Sequence, residues 1–96
     1  MSKPYLNRFA KRRDANEPEI IQIFKNWGIS VVRLDQPVDL LLGYDSFNYL
    51  VEVKVEGKKL NSNQEKFKNE FKGDFWLIDS DEKANRLAEL IVTGEA

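Results

Sequence analysis

The sequence predicts one α+β domain in the order α-β-β-β-α-β-α, with a mixed four-stranded sheet and a helix at the carboxyl end. Three observations predict it. Residues 20–27 carry apolar side chains at helical spacing. Residues 29–55 hold three short β-branched and aliphatic runs with turn formers between them. Residues 75–78 form a fourth such run with a helical pattern on either side. A chain of 96 residues builds a single core, and at that size it hides only about 60 to 65% of its unfolded surface. Residues 1–13 read as a basic amino-terminal arm and residues 14–96 as the domain.

Asn16-Glu17-Pro18-Glu19 reads as a helix start, because Asn16 can cap, proline is tolerated in the first turn and Glu19 can close a capping box. Ile20, Ile21, Ile23, Phe24 and Trp27 follow at helical spacing, and Gly28 ends the segment. Positions three, four and seven after Glu17 are Ile20, Ile21 and Phe24, so Glu17 lies on the apolar stripe and points inward. Glu19 lacks that company and faces mostly outward.

Ile29 to Leu34 is a short strand, Asp35-Gln36-Pro37 a turn, and Val38 to Leu42 and Phe47 to Val55 form a hairpin around Gly43 to Ser46. The three strands are expected to be antiparallel. Asn61 or Ser62 caps a second helix, with Ser62 and Glu65 at capping-box spacing. Gln64, Phe67, Lys68 and Phe71 share one face of that helix, which is expected to stop near Gly73. Phe75 to Ile78 is a fourth strand, and its arrival through a helix predicts a right-handed crossover parallel to the third. Ser80 caps a last helix with Ala84, Leu87, Ala88 and Ile91 inside.

Cysteine and histidine are absent, which excludes disulfides, cysteine-rich zinc sites and every histidine-based triad or metal shell. Any metal must be held by oxygen, and that favours magnesium, with manganese able to substitute. No apolar run approaches the roughly 20 residues that span a bilayer, and the basic start lacks the apolar stretch of a secretory signal. A cytoplasmic protein with no membrane partner is expected. The net charge is -1, yet residues 1–13 carry Lys3, Arg8, Lys11, Arg12 and Arg13 and no acid, so the remainder carries -6. With Tyr5 and Phe9 among its cations, this arm is either simply flexible or one that tracks phosphates and stacks on bases.

Acids and a lysine stand where strands want apolar side chains: Asp39 at the start of one hairpin strand, Glu52 and Lys54 on its partner. Alternation puts Glu52 and Lys54 on one sheet face. Two like charges about 4 Å apart repel by roughly 4 kcal/mol at an effective dielectric of about 20. A domain whose whole stability is about 5 to 10 kcal/mol tolerates such a cluster poorly without a cation. Asp39, Glu52 and the Val53 backbone carbonyl would make an open oxygen-only site, with Glu17 converging on it as a further ligand, directly or through water. A divalent ion there would activate water for in-line attack on a phosphodiester, and Lys54 would orient that water or neutralise the phosphate.

Asp39 followed by Glu52-Val53-Lys54 resembles the PD-(D/E)xK nuclease signature, and the element order is similar to that superfamily's restriction-endonuclease-like αβββαβ core. More narrowly, Arg12-Arg13-Asp14-Ala15-Asn16-Glu17, the strand Leu50-Val51-Glu52-Val53-Lys54 and Leu60-Asn61-Ser62-Asn63-Gln64 resemble small phage-type VRR-NUC nucleases, related to Holliday junction resolvases. The resemblance covers roughly residues 11–80. It implies that Glu17 assists the metal or its water, Asp39 and Glu52 ligate, Lys54 is the catalytic lysine and Gln64 contacts water or phosphate. Val38 stands where the family usually has proline, and Ser62 and Asn63 where it often has threonine and proline.

The resemblance implies a magnesium-dependent endonuclease acting in repair or recombination, a two-fold homodimer, and the host-cell cytoplasm if the chain is viral. Lys58, Lys59, Lys68 and Lys72, with the five cations of the arm, would flank a DNA groove. No base-reading helix is evident, so branched DNA fits better than a base sequence. Flaps, nicks or single strands are the alternative substrates for the same site, and a non-catalytic DNA-binding module is the alternative of another class. Tyr44, Phe47, Tyr49 and Trp76 are expected to supply aromatic surface for the dimer.

Overall fold

A computed structural model describes residues 14–96; the arm, with Lys3, Arg8, Lys11, Arg12 and Arg13, lies outside the described residues. The elements are α1 (Glu17–Asn26), β1 (Ser30–Arg33), β2 (Leu40–Tyr44), β3 (Phe47–Val53), α2 (Ser62–Glu70), β4 (Phe75–Ile78) and α3 (Asp81–Val92). This is the expected α+β order. The four strands form one sheet in the order β1-β2-β3-β4. The first three pair antiparallel, and β4 joins β3 in parallel, with Glu52 beside Leu77 and Val53 beside Ile78.

One hydrophobic cluster joins α1 and α3 to a single sheet face: Ile20, Ile21 and Phe24 meet Leu40, Leu42, Tyr49, Val51 and Val53, and then Ala84, Leu87, Ala88 and Ile91. The amphipathic stripes read from the sequence are the ones that pack. The alternate strand positions face α2, where the Phe67 ring sits edge-on to Phe75 at 5.9 Å. That side is thinner, since α2 buries none of its residues. Glu52 belongs to this thinner side, which brings a charged strand residue within reach of a polar helix.

Several boundaries shift. The second strand begins at Leu40, two residues later than expected, because the chain is still turning at Asp39: the Leu34 N–H donates to the Asp39 carbonyl at 2.8 Å. The hairpin turn narrows to Asp45 and Ser46, both at positive φ (51° and 70°), the backbone of a two-residue type I′ connection. The third strand stops at Val53, short of Val55. Helix α2 ends at Glu70 and not near Gly73, because Phe71 turns extended (ψ 130°) while its ring stacks on Phe67 at 4.9 Å. Lys72 therefore lies beyond the helix and is not one turn from Lys68 on it. A Cβ at Gly73 would meet the tip of the Phe71 ring at 2.7 Å, so a larger residue there would displace that ring.

Two caps differ as well. Asn16 occupies the N-cap position of α1 but makes no side-chain cap bond; its amide is engaged elsewhere. At α2 the cap is Asn61, one of the two residues expected, and the box is completed by Gln64 in place of Glu65. Ser80 caps α3 as expected, accepting from the Lys83 N–H at 3.2 Å. Of the four expected surface aromatics only Phe47 is well exposed, at 65%, while Tyr49 is buried and Tyr44 and Trp76 pack against the core. Among the described residues no helix is long and apolar enough to cross a membrane.

Candidate active site

The polar residues that the sequence singles out gather where β2 begins and β3 ends. Asp39, Glu52 and Glu17 are the buried charged side chains, at 3%, 2% and 0% exposure. Asp39 straddles Glu52: its N–H donates to the Val51 carbonyl at 3.2 Å, and its Oδ2 accepts from the Val53 N–H at 2.7 Å. A carboxylate thus replaces a backbone carbonyl at the end of the ladder, which holds Asp39 against the partner strand. That irregularity costs little, because a charge-assisted bond stands in for the ordinary one.

Glu52 is gripped from α2. Gln64 Nε2 donates to Glu52 Oε2 at 2.7 Å, while Gln64 Oε1 accepts from the Asn61 N–H and the Gln64 N–H donates to Asn61 Oδ1, both at 2.9 Å. The capping box therefore fixes the amide that touches Glu52, so one device stabilises the helix start and orients the acid. Lys54, on the same strand face, brings Nζ to 4.0 Å from Glu52 Oε2, with 15% of its side chain exposed. Its ammonium is close enough to balance Glu52 and open enough to meet a ligand.

Glu17 reaches the same end of the sheet from α1. Arg33 Nε lies 3.1 Å from Glu17 Oε2, and the arginine side chain stays 49% exposed. Arg33 pairs with Leu40 across the strands, next door to Asp39. The Asn16 side-chain amide donates to the Lys54 carbonyl at 3.0 Å, which ties the start of α1 to the end of β3. Asn16 does not cap its own helix because its backbone is in the helical region (φ -85°, ψ -3°) and not in the extended form that aims a capping oxygen.

No family, curated protein or solved structure among known proteins matches the chain. The site is therefore read from its own geometry.

Among the described residues no three acidic side chains form a ready metal-ligand group. The donors that the fold brings together are Asp39, Glu52 and the backbone at Val53, and Glu17 enters through its ion pair with Arg33. Carboxylate and carbonyl oxygens fit a hard divalent cation and fit no thiophilic one. The bonds to Val53 N–H and Gln64 Nε2 orient the two carboxylates.

A cleft of about 460 Å³ opens beside this cluster, between the β1–β2 connection (Asp35, Gln36, Pro37) and the start of α2 (Asn61, Asn63, Gln64, Phe67). Lys58 and Lys59 are exposed in the turn after β3, Lys68 is exposed on α2, and Lys72 is exposed just past it. Sequence reading missed Asn16, Arg33 and Asn61 as supporting residues. Arg33 left a signal, a charged residue two positions after Val31 on the inward side of a short strand. The partners of Asn16 and Asn61 are tertiary or local capping choices with no such mark.

Proposed function

We propose that the chain is a magnesium-dependent endonuclease that hydrolyses phosphodiester bonds in branched DNA, with the PD-(D/E)xK type of centre that its motifs resemble. The observation that carries this reading is the buried Asp39–Glu52 pair at the carboxyl end of β3, with Lys54 and Gln64 both held on Glu52. Asp39 also ties its strand to Val53 and Gln64 also closes the cap of its helix; a cation site uses both groups together with Glu52 and Lys54.

Asp39, Glu52 and the Val53 carbonyl would hold a divalent cation, which when present supplies Lewis acidity toward phosphate and lowers the pKa of water. Lys54 Nζ, beside Glu52 and partly open to solvent, places a positive charge where an attacked phosphodiester gains negative charge. Gln64 fixes Glu52 and keeps its amide facing the cleft. Arg33 holds the Glu17 carboxylate, and Asn16 anchors that helix start to the strand bearing Lys54.

Lys58, Lys59, Lys68 and Lys72 supply backbone contacts in this reading, so affinity should fall as salt rises. One site makes one cut, and symmetric cleavage of a four-way junction calls for two copies of the chain. Exposed Phe47 remains for such a contact. The same centre acting on flaps, nicks or single strands is the second reading, supported by the cleft beside Gln64 that can admit unpaired chain. Labelled four-way junction, flap, nicked, single-stranded and duplex DNA, each with magnesium or chelator, separate these readings. Magnesium-dependent cutting of the junction is expected, preference for flaps would favour the second reading, and no cutting by folded protein would overturn both.

A further inference from the structure

The cleft between the β1–β2 connection and the start of α2 has a composition unlike the rest of the surface. Among the described residues its walls are Asp35, Gln36, Pro37, Asn61, Asn63, Gln64 and Phe67, a carboxylate, four carboxamides, a proline and an aromatic ring. A nucleobase meets a ring to stack on and amide groups that donate and accept along its edge, the pattern by which proteins hold unpaired bases. The volume of about 460 Å³ admits one base with its sugar.

The position decides which base. One wall leads through Pro37 and Val38 into Asp39, and the other contains Gln64, whose Nε2 touches Glu52 at 2.7 Å. Phe67 is held by rings on two sides, Phe71 at 4.9 Å and Phe75 at 5.9 Å, which makes it a rigid platform. We infer that this cleft binds the unpaired nucleobase adjoining the scissile phosphate, with Phe67 stacking on the base and Gln36 and Asn63 reading its edge. The inference rests on the nuclease reading and gives it a substrate class: DNA with an unpaired nucleotide at the cut.

The test separates the two claims. Branched DNA carrying 2-aminopurine at the unpaired position beside the branch is titrated with the whole protein in chelator, and fluorescence and anisotropy are read together. Saturable quenching is expected, lost in Phe67→Ala and weakened in Asn63→Ala, an exposed position whose loss spares the core. With magnesium, replacing that nucleotide by an abasic site should slow wild-type cutting by roughly tenfold, the scale of one base–aromatic stack. Binding without quenching, quenching that both variants retain, or equal cutting of abasic DNA would overturn the inference. Each of those results leaves the nuclease reading intact, which is scored by magnesium-dependent cutting of the unmodified DNA.

Discussion

Lys54 is the residue whose environment differs most from that of an ordinary strand lysine. Its Nζ stands 4.0 Å from a buried Glu52 oxygen, yet its side chain keeps 15% of its surface. A lysine serving only as a counter-ion could be lost with a stability cost and no chemical one. Here Lys54→Ala is expected to abolish cutting while DNA binding by anisotropy stays within about twofold, since one phosphate-facing charge among many is removed. Asn61 offers a second test. Asn61→Ala should lower stability by about 1 kcal/mol through loss of the Oδ1 that accepts from the Gln64 N–H, and should also slow cutting, because a frayed helix start holds Gln64 less firmly against Glu52. Ser62→Ala, one residue on, should change neither. Thermal melts and single-turnover rates on both variants check this directly.

Among the elements, the β2–β3 hairpin and the α1–α3 contact are where local chemistry leaves room for improvement. Asp45 and Ser46 both hold positive φ. Ser46→Gly relieves about 1 to 2 kcal/mol of left-handed strain against roughly 0.5 to 1 kcal/mol of added chain entropy. A small rise in melting temperature is expected, and a fall would mean that the turn is not of this type. Between the helices, the Glu19 carboxyl is raised above its ordinary value, first by its hydrogen bond to Asp81, then by that residue's charge, and lastly by slight burial. A raised folded-state pKa contributes stability that is complete below the ordinary carboxylate range and is lost as pH rises through the shifted value. Glu19→Gln should therefore melt above the wild type at neutral pH, with the gap closing as pH falls below that range. A gap independent of pH would contradict the pairing.

The elements were legible in the sequence where burial imposed a period. Ile20, Ile21 and Phe24 in α1, and Ala84, Leu87, Ala88 and Ile91 in α3, form the core that their spacing predicts, and Glu17 is buried as its stripe requires. The ends were less legible, because ends are settled by single hydrogen bonds. Asn16 takes a helical backbone where a capping residue is extended, and its donation to the Lys54 carbonyl exists only through the tertiary approach of β3. Asp39 likewise shortens β2 by taking the Val53 N–H on its carboxylate. Lys72 left its expected helix because the Phe71 ring stays on Phe67 while its backbone turns extended.

For the whole molecule, the sheet divides two tasks. The side covered by α1 and α3 carries the apolar core, and the side covered by α2 carries Glu52, Lys54, Gln64 and the adjoining cleft. The apolar core and the candidate site are thus placed on opposite faces of the same strands, joined where Glu17 and Asn16 reach the strand ends. A cation bound by native Asp39 and Glu52 and not by the unfolded chain should raise the melting temperature in step with magnesium concentration. Asp39→Asn should remove that rise. If instead the rise persists in the variant, the ion binds elsewhere.

The central claim is that Asp39, Glu52 and Lys54 form one magnesium-dependent phosphodiesterase centre. The most direct measurement is the single-turnover cleavage rate of an end-labelled four-way junction by the wild type, Asp39→Asn, Glu52→Gln and Lys54→Ala, each confirmed folded by circular dichroism. Cutting by the wild type with magnesium, none with chelator, and losses of at least a hundredfold (about 2.7 kcal/mol) in all three variants are the expected result. Wild-type cutting that any of the three variants retains, or no cutting by a folded wild type, would contradict it.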